Sequence, residues 1–152
     1  EIRQNPSDSY QLLFTSRLYE FLYHLCRSYS HQIPSASLTG SQRDLQRVTH
    51  VMNWVKVHYP EPLSLETAAD SLALSKEYFC RLFKKYTGQT FLEYLNDVRT
   101  MHLYEDLQNS DETITVLMEK NGLSNYKIFM RTFKKLYGST PQKMRSNRIR
   151  HV

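Results

Sequence analysis

The chain has 152 residues, of which 40% are hydrophobic and 23% are charged, and it carries a formal net charge of +5. This length is about that of one domain, and the composition is typical of a globular protein. No run of about 18 consecutive apolar residues is present, so the sequence predicts no transmembrane helix. The two cysteines are too few for a disulfide framework and indicate a reducing compartment, which we expect to be the cytoplasm.

The positive charge is concentrated in the second half of the chain. Residues 1–75 hold 6 Lys and Arg against 7 Asp and Glu, whereas residues 76–152 hold 14 against 8. A basic half beside a nearly neutral half favours a polyanionic partner. The chain begins with Glu1 rather than Met, and we therefore expect it to be a fragment of a longer protein.

The first predicted element is an amphipathic helix over residues 10–29. Its apolar residues recur at helical spacing and are Leu13, Phe14, Leu18, Phe21, Leu22, Leu25, Cys26 and Tyr29. A stripe this wide needs a partner surface, which is either a second copy of the chain or the helical region that follows the linker. Residues 31–42 follow with the sequence HQIPSASLTGSQ, whose Pro, Gly, Ser and Thr content predicts a flexible linker.

The rest of the chain predicts only helices and short breaks. The predicted helices are Arg43–Tyr59, Leu65–Leu72, Lys76–Tyr86, an amphipathic Phe91–Leu107, Ile114–Asn121 and Asn125–Tyr137, followed by a short turn at Pro141–Arg145. Ser64, Ser75 and Thr113 are candidate N-caps, and Gly88 and Gly138 are candidate helix ends. Four glycines and five prolines are too few for a many-stranded β protein, so we expect an all-α fold.

A unit of a short helix, a turn and a longer helix occurs twice. At a shift of 50 residues, residues 79–90 and 129–140 share seven identities. The shared residues include the pairs Phe79 and Phe129, Arg81 and Arg131, and Gly88 and Gly138. Two copies are too few for a solenoid, and they indicate a duplicated small motif.

The longer helix of each unit has an apolar face and a polar face. The residues predicted to face inward are Phe79, Leu82, Phe83 and Tyr86 in the first unit and Phe129, Phe133 and Leu136 in the second. The residues predicted to face outward are Glu77, Cys80, Arg81 and Lys84 in the first and Lys127, Met130, Arg131 and Lys134 in the second.

Outward arginines on a rigid helix suit the major groove of double-stranded DNA. An arginine can bind guanine through two hydrogen bonds, and lysines further along the helix can bind phosphate. The 17 residues of Phe91–Leu107 would span about 25 Å as a helix. Two units held this way could enter successive major grooves, about 34 Å apart, without a dimer.

Residues 43–146 resemble the DNA-binding domain of the AraC family of bacterial transcription regulators. The resemblance is carried by LSLETAADSLALSKEYFCRLFKKYTGQTFLEYLNDVR and by ITVLMEKNGLSNYKIFMRTFKKLYGSTPQKMR. It implies an all-α fold of seven helices, with two helix-turn-helix units joined by a long helix. It also implies a transcription activator rather than an enzyme, with operator DNA and RNA polymerase as partners and with no cofactor or metal ion.

The recognition helices implied by the resemblance are residues 76–86 and 125–137. The predicted DNA-contacting residues are Ser75, Lys76, Glu77, Cys80, Arg81, Lys84, Lys85, Asn125, Tyr126, Lys127, Met130, Arg131, Lys134 and Lys135. Three positions depart from the family pattern and predict unusual packing in the second unit, namely Met118, Asn121 and Leu123. Arg99 in the long helix is matched in the family, and we expect it to pair with an acid between the two units.

The predicted organisation has four parts. Residues 1–30 form the amphipathic helix, a remnant of a sensor or dimerisation domain; residues 31–42 form the linker. Residues 43–146 form the DNA-binding domain, and residues 147–152 form a basic tail. The resemblance implies that effector sites lie in an N-terminal domain, which we expect to be missing here, and no residue cluster in the helical domain looks like a pocket. We therefore expect this chain to bind its operator without a ligand, in the cytoplasm at the nucleoid.

Two other function classes compete with DNA binding as interpretations of the sequence. An enzyme fused to such a domain, as in alkylation-repair regulators, would need a zinc-bound cysteine cluster, and the isolated Cys26 and Cys80 argue against it. The other class is a helical module that binds proteins. Affinity for a polyanion would fall steeply with rising salt concentration for a DNA-binding domain but not for such a module. Among regulators, a free-standing monomeric activator and the C-terminal part of a ligand-sensing protein both remain open, and the N-terminal helix and linker favour the second.

Overall fold

The computed structural model describes residues 17, 18, 20, 21 and 39–149 of the chain. Residues 17, 18, 20 and 21 are helical, and the other residues of the predicted helix 10–29 lie outside the described part. Residues 30–38, which hold most of the predicted linker, also lie outside it. The chain divides into two compact parts, residues 1–41 and 42–152.

Seven helices lie between residues 40 and 149. They are α1 (Gly40–His58), α2 (Leu65–Asp70), α3 (Lys76–Thr87), α4 (Phe91–Asn109), α5 (Ile114–Lys120), α6 (Tyr126–Tyr137) and α7 (Pro141–Ile149). Residues 39–149 contain no strand, which confirms the all-α fold class. Within the described part of the chain, no helix combines the length and the hydropathy that crossing a membrane requires.

Helices α1 and α7 are longer than predicted. Helix α1 begins at Gly40, so it includes the last three residues of the predicted linker. Helix α7 runs to Ile149, so the short turn predicted at Pro141–Arg145 is wrong, and the helix includes residues assigned to the basic tail. The physical reason is the same at both ends: after Pro141, and between Gly40 and Pro60, no further Gly or Pro interrupts the helix.

The predicted caps place the starts and ends of the helices. The side-chain oxygens of Ser64, Ser75 and Thr113 accept hydrogen bonds from main-chain N–H groups three residues later, at 3.1, 3.3 and 3.4 Å. Gly88 and Gly138 end α3 and α6 in the left-handed conformation, with φ of 76° and 67°. These caps fix the length and the phase of both longer helices, and they confirm the predicted N-caps and helix ends.

Two small cores are built on opposite sides of α4. Its first half contributes Phe91, Leu95 and Val98 to a core with α1, α2 and α3, and its second half contributes Leu103 and Leu107 to a core with α5 and α6. At about 100° per residue, these two buried faces are rotated by roughly 130° about the helix axis. The sequence predicted an amphipathic helix, which has a single apolar face, and this prediction is wrong. The first half of α4 buries one face, and its second half buries a different face.

The end of α6 packs differently from the prediction. Leu136, predicted to face inward, is 36% exposed, and Thr132 is buried in the same helix. The ring of Tyr137 stacks on Tyr104 of α4 with 4.2 Å between centroids. Because Tyr137 covers this end of the second core, Leu136 stays at the surface.

The three unusual residues of the second unit are buried, and one of them, Asn121, forms a polar link. Met118 and Leu123 are buried in the second core, and Asn121 is 1% exposed. The Asn121 amide donates to Asp106 Oδ2 on α4 and to the Leu117 carbonyl, both at 2.9 Å. A buried amide is tolerated when it is hydrogen-bonded, so this departure adds a polar connection between α4 and α5.

The turns of the two units use different residues at the same strained position. In the first, the Leu74 N–H donates to the Ala69 carbonyl, and Ala73 between them has φ of 52°. In the second, the Leu123 N–H donates to the Met118 carbonyl, and the corresponding residue is Gly122 with φ of 72°. The left-handed conformation costs an alanine about 1–2 kcal/mol, whereas glycine adopts it freely.

We expect Ala73→Gly to raise the free energy of unfolding by about 0.5–1 kcal/mol, because relief of the strain exceeds the extra entropy of an unfolded glycine. Urea denaturation followed by circular dichroism measures the change. Gly138→Ala is the matched control: it introduces an alanine at φ of 67° with no atom within 4 Å of the added carbon, and it should destabilise. A lower urea midpoint for Ala73→Gly would contradict the strain argument.

Candidate functional site

Helix α3 presents one exposed polar face. Its outward residues are those that the periodicity predicts, and all are exposed, namely Glu77, Cys80, Arg81 and Lys84. Phe79, Leu82 and Phe83 on the opposite face are buried in the first core. The cap at Ser75 sets the phase of the helix, and this phase keeps the polar face in solvent.

Helix α6 presents a corresponding face with more positive charge. Lys127, Arg131 and Lys134 are exposed, and the helix holds four cationic residues and no acid. Tyr126 at its start is 53% exposed. Met130 differs from the prediction, because it is half-buried and packs against the second core instead of facing outward.

Arg81 and Arg131 are the most available donors on these two faces. Neither guanidinium forms a hydrogen bond or an ion pair with another residue in the described part of the chain. Each keeps its planar set of N–H donors for an external acceptor. No carboxylate of a described residue lies within 4 Å of Lys84 or Lys134, so these two ammonium groups are also available.

Three other predicted contact residues are engaged within the protein. Lys76 Nζ lies 2.9 Å from Glu66 Oε1, and this hydrogen bond raises the pKa of Lys76 and lowers that of Glu66. Lys135 Nζ lies 3.2 Å from Asp97 Oδ2 on α4. Lys85 Nζ sits 5.2 Å from the centre of the Tyr86 ring. An external anion would compete with these contacts.

Ser75 and Asn125 begin the two longer helices. The Ser75 hydroxyl accepts from the Tyr78 N–H at 3.3 Å, and Asn125 Oδ1 accepts from the Ile128 N–H at 3.0 Å. The hydroxyl hydrogen of Ser75 and the amide N–H groups of Asn125 can still donate. Together with the free main-chain N–H groups of the first turn, they can bind an anion such as a phosphate.

Arg99 binds main-chain carbonyls and pairs with no acid among the described residues, so that prediction is wrong. Its Nε donates to the Tyr59 carbonyl and its Nη2 to the Glu61 carbonyl, both at 2.6 Å. Pro60 and Pro62 end α1 and have no N–H, so the carbonyls at this helix end need donors from elsewhere. Partial burial lowers the pKa of the Arg99 guanidinium.

The helical domain contains an open groove of about 850 Å³. Among the residues that line it are Pro60, Leu63, Arg99, Met118, Leu123 and Tyr126. The prediction that this domain has no concave pocket is therefore wrong, and the expectation of ligand-independent binding loses its premise. The walls come from residues 60–64 and 115–126, which are too far apart in the chain for any local sequence pattern to reveal the groove.

Comparisons with known proteins agree with this geometry. A family model described as a helix-turn-helix domain matches residues 68–147. RhaS of Escherichia fergusonii, an HTH-type transcriptional activator, is 31% identical over 111 residues, which are 73% of this chain and 40% of RhaS. Another curated relative is matched over only 14% of its length, so this chain spans a minor part of these relatives.

Solved structures have the same fold. A regulator with an AraC-type DNA-binding domain from Chromobacterium violaceum is 28% identical with a TM-score of 0.58, over 72% of this chain and 95% of that one. The DNA-binding domain of AdpA, a global transcriptional factor solved in complex with a target DNA, is 25% identical with a TM-score of 0.60. That match covers 66% of this chain and 91% of the AdpA domain.

Proposed function

The chain belongs to the AraC family of helix-turn-helix transcription regulators, and on this premise we propose that it binds double-stranded DNA sequence-specifically to regulate transcription. This family is one of DNA-binding regulators, not of enzymes. The observation that carries the proposal is the pair Arg81 and Arg131, at equivalent positions of α3 and α6, both exposed and without a hydrogen-bond or ion-pair partner among the described residues. The AdpA domain, which has the same fold, is bound to a target DNA.

The two longer helices act as recognition helices in successive major grooves. Helix α4, with its 19 residues, spans about 28 Å, comparable to the roughly 34 Å of one DNA turn. Arg81 and Arg131 each offer two parallel N–H donors to a guanine. Glu77 and Cys80 beside Arg81, and Tyr126 and Lys127 before Arg131, lie where neighbouring base edges would be read. Met130 contributes less, because it is half-buried.

Phosphate contacts position the two helices on the duplex. Lys84 and Lys134 lie toward the ends of the recognition helices and supply charge without sequence preference. Ser75 and Asn125 supply donors at the helix starts, where the helix dipole also favours an anion. Three further lysines add positive charge to this surface but must leave their partners within the protein to bind phosphate directly, namely Lys76, Lys85 and Lys135.

The regulatory role is that of an activator that contacts RNA polymerase at the nucleoid, in the cytoplasm. RhaS, which the chain matches, is named as a transcriptional activator. In the intact protein, a small-molecule effector bound to an N-terminal domain controls DNA binding. The coupling requires that the effector binds two states of the protein with different affinity.

We expect Arg81→Ala and Arg131→Ala each to cost about 1–3 kcal/mol of specific binding and to relax the base preference locally, because each removes a bidentate base contact. Fluorescence anisotropy with an operator selected from random DNA by the unaltered chain measures the loss. The control is Arg43→Ala, which removes the same charge from an exposed position on α1. Unchanged specificity in both recognition-helix variants would rule out this assignment.

We expect Lys84→Gln and Lys134→Gln to weaken binding to operator and to random DNA equally, and to lower the salt slope by about one. Lys135→Gln should have a smaller effect, because Lys135 already pairs with Asp97. Affinity measured over a series of salt concentrations distinguishes these cases. An effect of Lys135→Gln as large as that of Lys134→Gln would mean that DNA displaces the Asp97 ion pair.

We expect the chain to form a homodimer through its N-terminal helix. Leu18 and Phe21 in the described part of that helix are 43% and 61% exposed. Sedimentation velocity at increasing concentration should detect the dimer, and Phe21→Ser should weaken it. Glu20→Gln, on an exposed residue paired with Arg17, is the control. A chain that stays monomeric at all concentrations would contradict the expectation.

A further inference from the structure

The two helix-turn-helix units meet at a junction formed by residues 59–61, Arg99 and Gly122. The segment 59–61 belongs to the first unit, Arg99 lies midway along α4, and Gly122 lies in the turn before α6. Arg99 holds this segment by donating to the Tyr59 and Glu61 carbonyls. His102, one turn further along α4, stacks on the Tyr59 ring with 4.0 Å between centroids and 5° between planes.

Gly122 brings the second unit against this segment. A β-carbon on Gly122 would lie 2.6 Å from the Pro60 carbonyl oxygen and 3.2 Å from Arg99 Cζ. The backbone therefore approaches more closely than any other residue type allows. Gly88 and Gly138 also have positive φ, but a β-carbon on either meets no atom within 4 Å. Close approach, and not only backbone conformation, thus distinguishes Gly122 from the other two.

The junction lies close to the start of α6, so its geometry affects where this recognition helix lies. Gly122 precedes the first residue of α6 by four positions, so a shift of this turn moves the start of α6. Away from the junction, the two units have separate cores, and α4 contributes buried residues to both of them. A single helix joining two bodies bends and twists more easily than one that is braced at its centre.

We propose that Arg99 and Gly122 are positioning residues that set the distance and angle between the two recognition helices, and so the operator spacing that the protein accepts. They do this without contacting DNA. The inference rests on the proposed function, because it concerns how two DNA-reading helices are placed. A braced junction lowers the entropic cost of engaging both half-sites at once, and it penalises operators with another spacing.

The first test compares Gly122→Ala with Gly138→Ala in the full chain. Both variants place an alanine in the left-handed conformation, but only Gly122→Ala adds a contact with Pro60 and Arg99. Affinities are measured for operators whose half-sites are separated by the selected spacing or by one base pair more or less, and for a single half-site. Circular dichroism establishes that each variant is folded at the assay temperature.

We expect Gly122→Ala to lose roughly tenfold affinity at the selected spacing and to flatten the spacing preference, with single half-site affinity unchanged. Gly138→Ala should keep the spacing profile of the unaltered chain. Arg99→Gln, whose shorter side chain has one nitrogen in place of Nε and Nη2, should behave like Gly122→Ala, and Arg99→Lys should be intermediate. A spacing profile unchanged in both Gly122→Ala and Arg99→Gln would overturn the proposal.

The second test needs no DNA. Spin labels on the native Cys80 of α3 and on Lys127→Cys of α6, with Cys26→Ser, report the distance between the recognition helices by pulsed electron paramagnetic resonance. We expect a narrow distribution in the otherwise unaltered chain and with Gly138→Ala, and a broader or displaced one with Gly122→Ala and Arg99→Gln. Identical distributions in all four would also overturn the proposal. The distribution could broaden in these two variants although the unaltered chain prefers no DNA sequence. That result would support the role of the junction in placing the two helices and would refute the proposed function.

Discussion

The structure depends on one helix serving two hydrophobic cores. Helix α4 buries Phe91, Leu95 and Val98 on one side and Leu103 and Leu107 on nearly the opposite side. Each helix-turn-helix unit is too small to bury its own apolar residues, so each needs half of α4 to complete its core. Because one helix is common to both cores, the two longer helices do not move as independent domains.

Polar groups supply the connections that the two separate cores cannot. Arg99 satisfies the carbonyls at the end of α1, and Asp106 accepts from the buried Asn121 at the end of α5. Both contacts start from α4 and reach the unit on either side of it. Hydrogen bonds are directional, whereas apolar contacts tolerate sliding, so these few bonds orient the units more strictly than packing alone would.

The two recognition helices have the same arrangement of a buried apolar face and an exposed polar face, but they differ in charge. Helix α3 includes Glu77, and its Lys76 is paired with Glu66, whereas α6 carries no acid. An acidic side chain can accept from cytosine but repels phosphate. On this basis, the second unit supplies more of the general attraction to the duplex, and the first unit depends more on matching the base sequence.

The sequence by itself determined the helices and the caps at Ser64, Ser75 and Thr113, because these depend on residues at most a few turns apart. The internal duplication also determined the equivalence of Arg81 with Arg131. Helical periodicity fixes the direction of a side chain around its own helix. The duplication shows which outward positions carry the same residue in both recognition helices. Only the tertiary structure decided that Arg99 binds carbonyls 38 and 40 residues away, that Gly122 meets Pro60, and that Met130 packs inward. The partner of such a residue depends on the path of the whole chain, and a local pattern contains no information about that path.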